Sequence, residues 1–218
     1  MTLLQDDVRM HPAEFNYQII QMSNSKLETL QVFGTPEDIG FTIGKIMAAS
    51  IHETVLPLAE FQQARRSWKD SSYLKKLDEA ARSVFPDYVL ELEGMARGAQ
   101  LDYESLLIWN CRGDLPLNEG ENPESAEHAP EGCTTLLYPA VEGTHAVIAH
   151  NEDGAPELDG HCRWLTVNQA NGTKFSTFHY PGMLPGHTFS VNSDGLVQTI
   201  NNIRVDDLQP GIPRHFIC

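Results

Sequence analysis

The sequence predicts an α+β protein, because helical patterns fill its first half and strand patterns fill its second. Of the 218 residues, 41% are hydrophobic and 21% are charged, which is usual for a globular chain that buries a core. Apolar residues recur at helical spacing up to about residue 112. Short β-branched or aromatic runs, separated by turn signals, occupy residues 133–203. Helices followed by strands are typical of the α+β class.

The first helix has the clearest start signal. Thr35 is a good N-cap residue, Pro36 suits the first helical position, and two acidic residues follow in the first turn. Asp102 is a candidate N-cap further along, and Gly98 is expected to end the helix before it. Before all of these, residues 15–33 predict a hairpin or a strand followed by a turn. Helices are predicted over residues 36–50, 61–68, 73–84, 86–98 and from 103.

An acidic stretch over residues 115–132 divides the chain. It holds five glutamates and three prolines but no lysine or arginine, so it cannot bury a core and is predicted to be an exposed loop. An alternative is that it docks a basic partner. The strands that follow are predicted to form a mostly antiparallel sheet, with Asn171-Gly172 as the strongest hairpin signal. Residues 1–132 and 133–218 are therefore treated as two segments.

Charge and cysteine content exclude several functions. The net charge is −15, and such an acidic surface repels nucleic-acid backbones and anionic lipid. The first residues do not form a secretory signal, so a cytoplasmic location with reduced thiols is expected. Cys111 and Cys162 are expected to be small buried hydrophobic residues. The nine histidines show no metal-ligand spacing, so neither a metal nor a cofactor is predicted.

Cys133 is different, because it follows Gly132 where the acidic loop meets the first strand. A glycine permits the strained approach by which a thiol can attack the preceding carbonyl. Hydrolysis of the resulting thioester would leave Cys133 as a new N-terminus, whose α-amine has a pKa near 8. That amine could serve as the base for its own thiol. A loop glycine followed by a buried strand cysteine is the alternative interpretation.

Several motifs, taken in order, resemble the penicillin acyltransferase family, also called peptidase family C45, within the N-terminal-nucleophile hydrolases. The likeness covers nearly the whole chain. It is carried by the spaced glycines of residues 34–44, by PDYVLELEGMARGAQLDYESLLIWNCR at 86–112, by GCTT at 132–135, by AHNED at 149–153, and by NSDGL with TIN at 192–201.

The resemblance implies an αββα sandwich and self-cleavage between Gly132 and Cys133. Residues 1–132 would become the α-chain and 133–218 the start of the β-chain. Cys133 would be the nucleophile and, through its α-amine, the base. Asp153 would orient the amine or thiol, and Asn201 would donate to the oxyanion. Thr134 and Asn151 would support the site. From the residues alone, Asp153 also suits a turn and Asn201 a polar strand end.

Two departures from the family pattern affect the expected activity. His150 stands where the related bile-salt-hydrolase branch has an arginine, so recognition of substrate charge is expected to differ. Family members also continue beyond the position of Cys218, so the fold is expected to appear truncated and to expose apolar surface. The sequence predicts an enzyme that cleaves or transfers an acyl group at a small amide. Assembly of this enzyme as a homo-oligomer is compatible with the prediction. The alternative is a catalytically incomplete binding or assembly protein.

Overall fold

A computed structural model describes residues 17–20, 27–116, 133–142, 145–202 and 208–217. The helices are α1 (Pro36–Ser50), continued by a π-helical turn at Ile51–Val55, then α2 (Ala59–Trp68), α3 (Ser72–Val84), α4 (Pro86–Ala99) and α5 (Tyr103–Cys111). The strands are β1 (Tyr17–Ile20), β2 (Glu28–Gly34), β3 (Thr134–Tyr138), β4 (Val147–Asn151), β5 (Arg163–Gln169), β6 (Lys174–His179), β7 (Ser190–Asn192) and β8 (Val197–Gln198). Single 3-10 turns lie at Pro156–Leu158 and Arg214–Phe216.

Six strands form one sheet in the order β1-β2-β5-β6-β7-β8, and β3 pairs with β4 in a separate hairpin. The α+β prediction is confirmed. Of the two alternatives for residues 15–33, a hairpin or a strand followed by a turn, the antiparallel pairing of β1 with β2 favours the hairpin. The expectation of one antiparallel sheet over residues 133–203 is only partly correct. β2 from the first segment pairs in parallel with β5, and β3 and β4 lie outside that sheet. Strand signals show which residues are extended but do not show which strands pair, and this is why the sequence missed both features.

Four glycines allow α1 and α4 to pack with their backbones in contact. A Cβ at Gly40 would lie 1.8 Å from the Glu91 carbonyl oxygen, and one at Gly44 would lie 2.1 Å from the Met95 carbonyl oxygen. Gly94 and Gly98 of α4 meet the backbone of α1 equally closely. The glycine spacing near the start of the sequence is therefore a helix-packing motif, since side chains at these positions would force the helices apart.

The prediction that Gly98 ends α4 is wrong. The helix continues to Ala99, and Gln100 closes it in the left-handed conformation with φ of 58°. Gly98 instead faces α1, where a Cβ would lie 2.1 Å from the Phe41 carbonyl oxygen. The predicted caps are correct: the Thr35 side chain accepts from the Asp38 N–H, and the Asp102 side chain accepts from the Ser105 N–H.

One buried cluster joins the predicted first and second segments. The middle of β2 and β5 contributes Leu30, Val32, Leu165 and Val167, and the helices contribute most of the rest. Because α1 packs against both strands, residues on the two sides of the acidic stretch share a single core. Division of the chain at residue 133 stays a prediction.

The β3–β4 hairpin is far less covered than the central sheet. Leu136, Leu137, Tyr138 and Val147 are each about half exposed or more. Residues 117–132, which include most of the acidic stretch and Gly132, lie outside the described residues, as does Cys218. None of the helices in the described part of the chain has the length and apolar character required to cross a membrane.

Candidate active site

The register of the β3–β4 hairpin brings four chemically useful side chains together. Thr134 lies opposite Asn151 and Thr135 lies opposite His150. One step further in this register, Cys133 lies opposite Glu152. Because side chains alternate between the faces of a strand, Cys133, Thr135, His150 and Glu152 share one face of the hairpin.

The Cys133 thiol is half-buried between the two residues that follow β4. Its Sγ donates a hydrogen bond of 3.7 Å to Glu152 Oε2 and faces the backbone N–H of Asp153. Burial is the largest influence on this thiol and raises its pKa, the Asp153 N–H lowers it, and the Glu152 carboxylate raises it again. A thiol with a raised pKa is protonated at neutral pH, so Cys133 requires a base before it can attack.

Thr135 connects the hairpin to Asn201. Its Oγ1 lies 2.7 Å from Asn201 Oδ1, 3.1 Å from Thr199 Oγ1 and 2.9 Å from His150 Nδ1. Asn201 Nδ2 donates a 2.6 Å hydrogen bond to the Cys133 carbonyl oxygen. The predicted oxyanion donor therefore lies beside the predicted nucleophile. Asn201 reaches Cys133, whereas Oδ1 of the adjacent Asn202 accepts from Arg214.

His150 lies between the hydroxyl network and the acid. Its ring packs against Phe189, and its Nε2 lies 3.0 Å from Glu152 Oε2. Only 3% of the His150 side chain and 16% of the Glu152 side chain are exposed to solvent. The thiol, the imidazole and the carboxylate therefore form one compact group.

The predicted site residues do not all face the thiol. Cys133 and Asn201 are in contact, and Asp153 approaches the sulfur through its backbone while remaining exposed. By strand alternation, Thr134 and Asn151 lie on the opposite face of the hairpin from Cys133. Sequence reasoning noted Thr135 only as a hydrogen-bond donor near Cys133 and did not select Glu152. The period of two places Thr135 on the face of Cys133 and Glu152 on the face of His150, but it does not show that the two strands pair.

A small cavity of about 60 Å³ opens beside the thiol. Cys133, Glu152 and Asp153 form one wall, and Trp109 and Tyr180 supply aromatic surface. Gly154 permits the approach of Tyr180, since a Cβ there would lie 2.4 Å from the phenol oxygen. Charged and imidazole groups also line it: Glu60, Arg112, His187, Arg214 and His215.

Burial disfavours the charged form of the histidines that line this cavity. Burial lowers the pKa of His187 and His215 well below the usual value, and neighbouring positive or imidazole groups lower both further. His187 Nδ1 contacts the Leu184 carbonyl oxygen, and its Nε2 is buried without a hydrogen-bond partner among the described residues. A larger cavity of about 460 Å³ lies between the start of α4 and β7, away from Cys133.

Comparison with known proteins shows that the chain is similar to enzymes named as acyltransferases and as a hydrolase. Residues 141–218, which include Asp153 and Asn201, match the family described as acyl-coenzyme A:6-aminopenicillanic acid acyl-transferase. The chain is 29% identical over 205 residues to a beta-alanyl-dopamine/carcinine hydrolase from Drosophila melanogaster, covering 84% of this chain and 51% of the relative. It is 23% identical over 187 residues to the 40 kDa form of acyl-coenzyme A:6-aminopenicillanic-acid-acyltransferase from Emericella nidulans, covering 84% of this chain and 49% of the relative.

The relatives are therefore a hydrolase and an acyltransferase by name. These matches confirm the predicted resemblance to the penicillin acyltransferase family. It spans about half the length of the curated relatives that it matches.

Proposed function

We propose that this protein is an autoprocessing N-terminal-nucleophile enzyme that hydrolyses small amides through a thioester on Cys133. The observation that carries the proposal is the convergence on one cysteine of an acid, a backbone N–H and an amide donor. Glu152 accepts from the thiol, the Asp153 N–H faces the sulfur, and Asn201 contacts the carbonyl of the same residue. A buried structural cysteine would not require these polar neighbours.

Self-cleavage would begin with Glu152 as the proton acceptor. In the uncut chain Cys133 has no free α-amine, so another base must take the thiol proton. Glu152 Oε2 is placed to do so. The sulfur then attacks the Gly132 carbonyl carbon, the carbon–nitrogen bond breaks, and the nitrogen takes up a proton as it leaves. Water hydrolyses this thioester, which yields a carboxylate on Gly132 and a free thiol and α-amine on Cys133.

Substrate turnover would repeat this chemistry with the new α-amine as the base. The amine takes the thiol proton, the thiolate attacks the substrate amide carbonyl, and the substrate amine leaves with a proton. Water then releases the acyl group from sulfur as a carboxylic acid. Asn201 Nδ2, already beside Cys133, would donate to the oxyanion, a contribution of about 3 kcal/mol for one donor. Asp153 would orient the α-amine.

The cavity supports a small polar acyl group as the substrate. Its volume of about 60 Å³ is too small for a long acyl chain, and its lining carries charges of both signs. The Drosophila relative is named as a beta-alanyl-dopamine/carcinine hydrolase, and a small polar acyl group of that kind fits such a lining. Amide hydrolysis is therefore proposed ahead of acyl transfer to an amine, and the αββα sandwich and the division into α- and β-chains belong to the same proposal.

Intact mass spectrometry of the denatured protein tests self-cleavage. The expected result is two fragments that meet between Gly132 and Cys133 in place of one chain of 24.3 kDa. Cys133→Ala should remain a single chain, because the sulfur nucleophile is gone. Cys111→Ala and Cys162→Ala are the matched controls, since both residues are buried elsewhere, and both should still cleave. Cleavage that persists in Cys133→Ala would contradict the mechanism.

Turnover is tested on N-(β-alanyl)dopamine and carcinine, before and after alkylation of the thiols with iodoacetamide. Loss of activity on modification of Cys133 would support the proposal that the protein is an enzyme with Cys133 as its nucleophile. Absence of turnover in the unmodified protein would favour the incomplete binding or assembly protein instead. Formation of a new amide when an excess of a primary amine is added would identify an acyltransferase.

A further inference from the structure

We propose that Cys133, His150 and Glu152 form a Zn²⁺ site that blocks the Cys133 thiol when it is occupied. This goes beyond the proposed function, because it concerns metal control of the thiol. The Sγ, imidazole and carboxylate ligand atoms of these residues all lie within 4.8 Å of one another. Thiolate sulfur, imidazole nitrogen and carboxylate oxygen are the three ligand types that zinc uses most in proteins.

The distances suit a tetrahedral ion. With usual zinc bond lengths, a sulfur and an oxygen ligand lie about 3.6 Å apart, and a nitrogen and an oxygen ligand about 3.4 Å apart. Here Cys133 Sγ lies 3.7 Å from Glu152 Oε2, and His150 Nε2 lies 3.0 Å from the same oxygen. These two distances are within a few tenths of an ångström of the tetrahedral values, and the third, between the sulfur and the imidazole nitrogen, is at most 4.8 Å.

The hydrogen-bond network points the correct imidazole nitrogen at this site. Asn201 Nδ2 donates to the Cys133 carbonyl oxygen, so Asn201 Oδ1 is an acceptor and the Thr135 hydroxyl donates to it. The Thr135 oxygen is then left to accept from Nδ1–H of His150. In a neutral imidazole this leaves the lone pair on Nε2, which is directed at Glu152. A zinc-ligating histidine is commonly oriented by a hydrogen bond of its other nitrogen in this way.

That lone pair requires a positive partner. A neutral Nε2 and a carboxylate oxygen are both acceptors, and they repel each other at 3.0 Å unless a proton or a cation lies between them. A proton held between the two groups is one solution, and a cation such as Zn²⁺ is another. The Cys133 sulfur, 3.7 Å from the same carboxylate oxygen, is placed as a further ligand for a cation.

A Zn²⁺ ion can reach the site from the cavity, and its effect on the Cys133 thiol follows from the formation of a Zn–S bond. Cys133 and Glu152 both line the 60 Å³ cavity, which supplies a route for the ion and space for a water as fourth ligand. Binding would exchange the thiol proton for the metal, so that one Zn–S bond forms and one proton is released to solvent. A zinc-bound sulfur would no longer attack an amide, so the ion would hold the enzyme inactive if Cys133 is the nucleophile.

Protection of the thiol from alkylation tests the site without any measurement of activity. The purified chain is titrated with Zn²⁺ and treated with iodoacetamide, and peptide mass spectrometry measures modification at each cysteine. Zn²⁺ at micromolar concentration is expected to protect Cys133. Co²⁺ at the same site should give a near-ultraviolet thiolate charge-transfer band that is lost in Cys133→Ala.

Substitutions of the other ligands separate this site from incidental thiol binding. His150→Gln and Glu152→Gln should each raise the Zn²⁺ concentration that half-protects Cys133 by at least about tenfold. Thr135→Val, which removes the orienting hydrogen bond but no ligand, should raise it by about tenfold. His161→Gln and Glu157→Gln, which alter the same residue types outside the site, should leave it unchanged.

Two results would overturn the proposal. One is the absence of protection at Cys133 up to roughly millimolar Zn²⁺, far above the concentrations at which zinc sites fill. The other is equal protection in wild type, His150→Gln and Glu152→Gln, which would indicate that the sulfur binds zinc alone or with a newly released α-amine. Neither result depends on self-cleavage or turnover, so failure of the metal site and failure of the proposed function remain distinguishable.

Discussion

In the α1–α4 pair, four glycines bring two helix backbones into contact, whereas in the β3–β4 hairpin most apolar side chains face solvent. The closest contacts of the helix pair are made by glycines and backbone carbonyls, although α4 also carries the buried carboxyl of Glu91. The hairpin carries a thiol, an imidazole and a carboxylate on one face. Close packing excludes ligands along with solvent, so the tightly packed region provides stability and the open hairpin provides the groups that can react.

The largest expected loss of stability comes from substitutions between the two helices of the α1–α4 pair. The double variant Gly40→Ala/Gly44→Ala should lose its cooperative thermal unfolding transition, because each new Cβ meets a backbone carbonyl of α4 at a cost of about 3 kcal/mol. The gain in helix propensity, about 1 kcal/mol for each alanine, does not offset this. Gly211→Ala is the control, since a Cβ there meets nothing within 4 Å. A double variant as stable as this control would refute contact between the two backbones.

Glu91, at the same helix interface, should make stability depend on pH. Burial raises the pKa of this carboxyl to about 8, and its Oε1 has no hydrogen-bond partner among the described residues. Because the folded-state pKa is above the unfolded value of 4.5, this contribution is present below pH 4.5 and is lost as pH rises toward 8. The loss is at most about 5 kcal/mol.

Denaturant unfolding of Glu91→Gln between pH 4.5 and 9 checks this expectation. The variant should be more stable than wild type at pH 9 and similar to it near pH 4.5, because glutamine cannot ionise. Glu79→Gln alters an exposed glutamate of α3 and should follow the wild-type curve. Parallel curves for wild type and Glu91→Gln would show that the pKa of Glu91 is the same in the folded and unfolded chains, so that burial does not raise it.

In the hairpin region, substitution of Asp153 should affect turnover more than stability. Asp153→Asn is expected to slow hydrolysis about 10²-fold, because the amide no longer carries the charge that orients the α-amine. The free energy of unfolding should change by less than about 0.5 kcal/mol, since the side chain is exposed. Asp159→Asn removes another exposed acid nearby and should change neither the rate of hydrolysis nor the free energy of unfolding. Equal losses of activity and stability in Asp153→Asn would favour the turn interpretation.

The smallest effect is expected for the apolar surface of β3. Leu137→Ala should change the free energy of unfolding by less than about 0.5 kcal/mol, because 64% of this residue is already exposed. Leu92→Ala makes the same chemical change at a fully buried position of α4 and should cost about 2–5 kcal/mol. Urea unfolding of both variants measures the contrast. A large loss for Leu137→Ala would show that the hairpin is covered in solution.

The sequence by itself determined the order of helices and strands, two N-caps and the resemblance to a known family. These follow from local signals: the period of apolar residues, the chemistry of Thr35 and Asp102 at helix starts, and motifs read along the chain. It also singled out Cys133 and Asn201 by their motifs, and the structure places these two residues in contact.

Only the tertiary structure decided that β2 pairs in parallel with β5, that Gly98 lies against α1, and that Glu152 and His150 meet Cys133. Each depends on contacts between residues far apart in sequence, and local preference contains no information about which distant segments pair. Gly98 carried the same helix-end signal as any glycine near a helix terminus, and packing against α1 overrode that signal. Glu152 was missed because the register of a hairpin, and not a spacing along the chain, brings its carboxylate to the thiol.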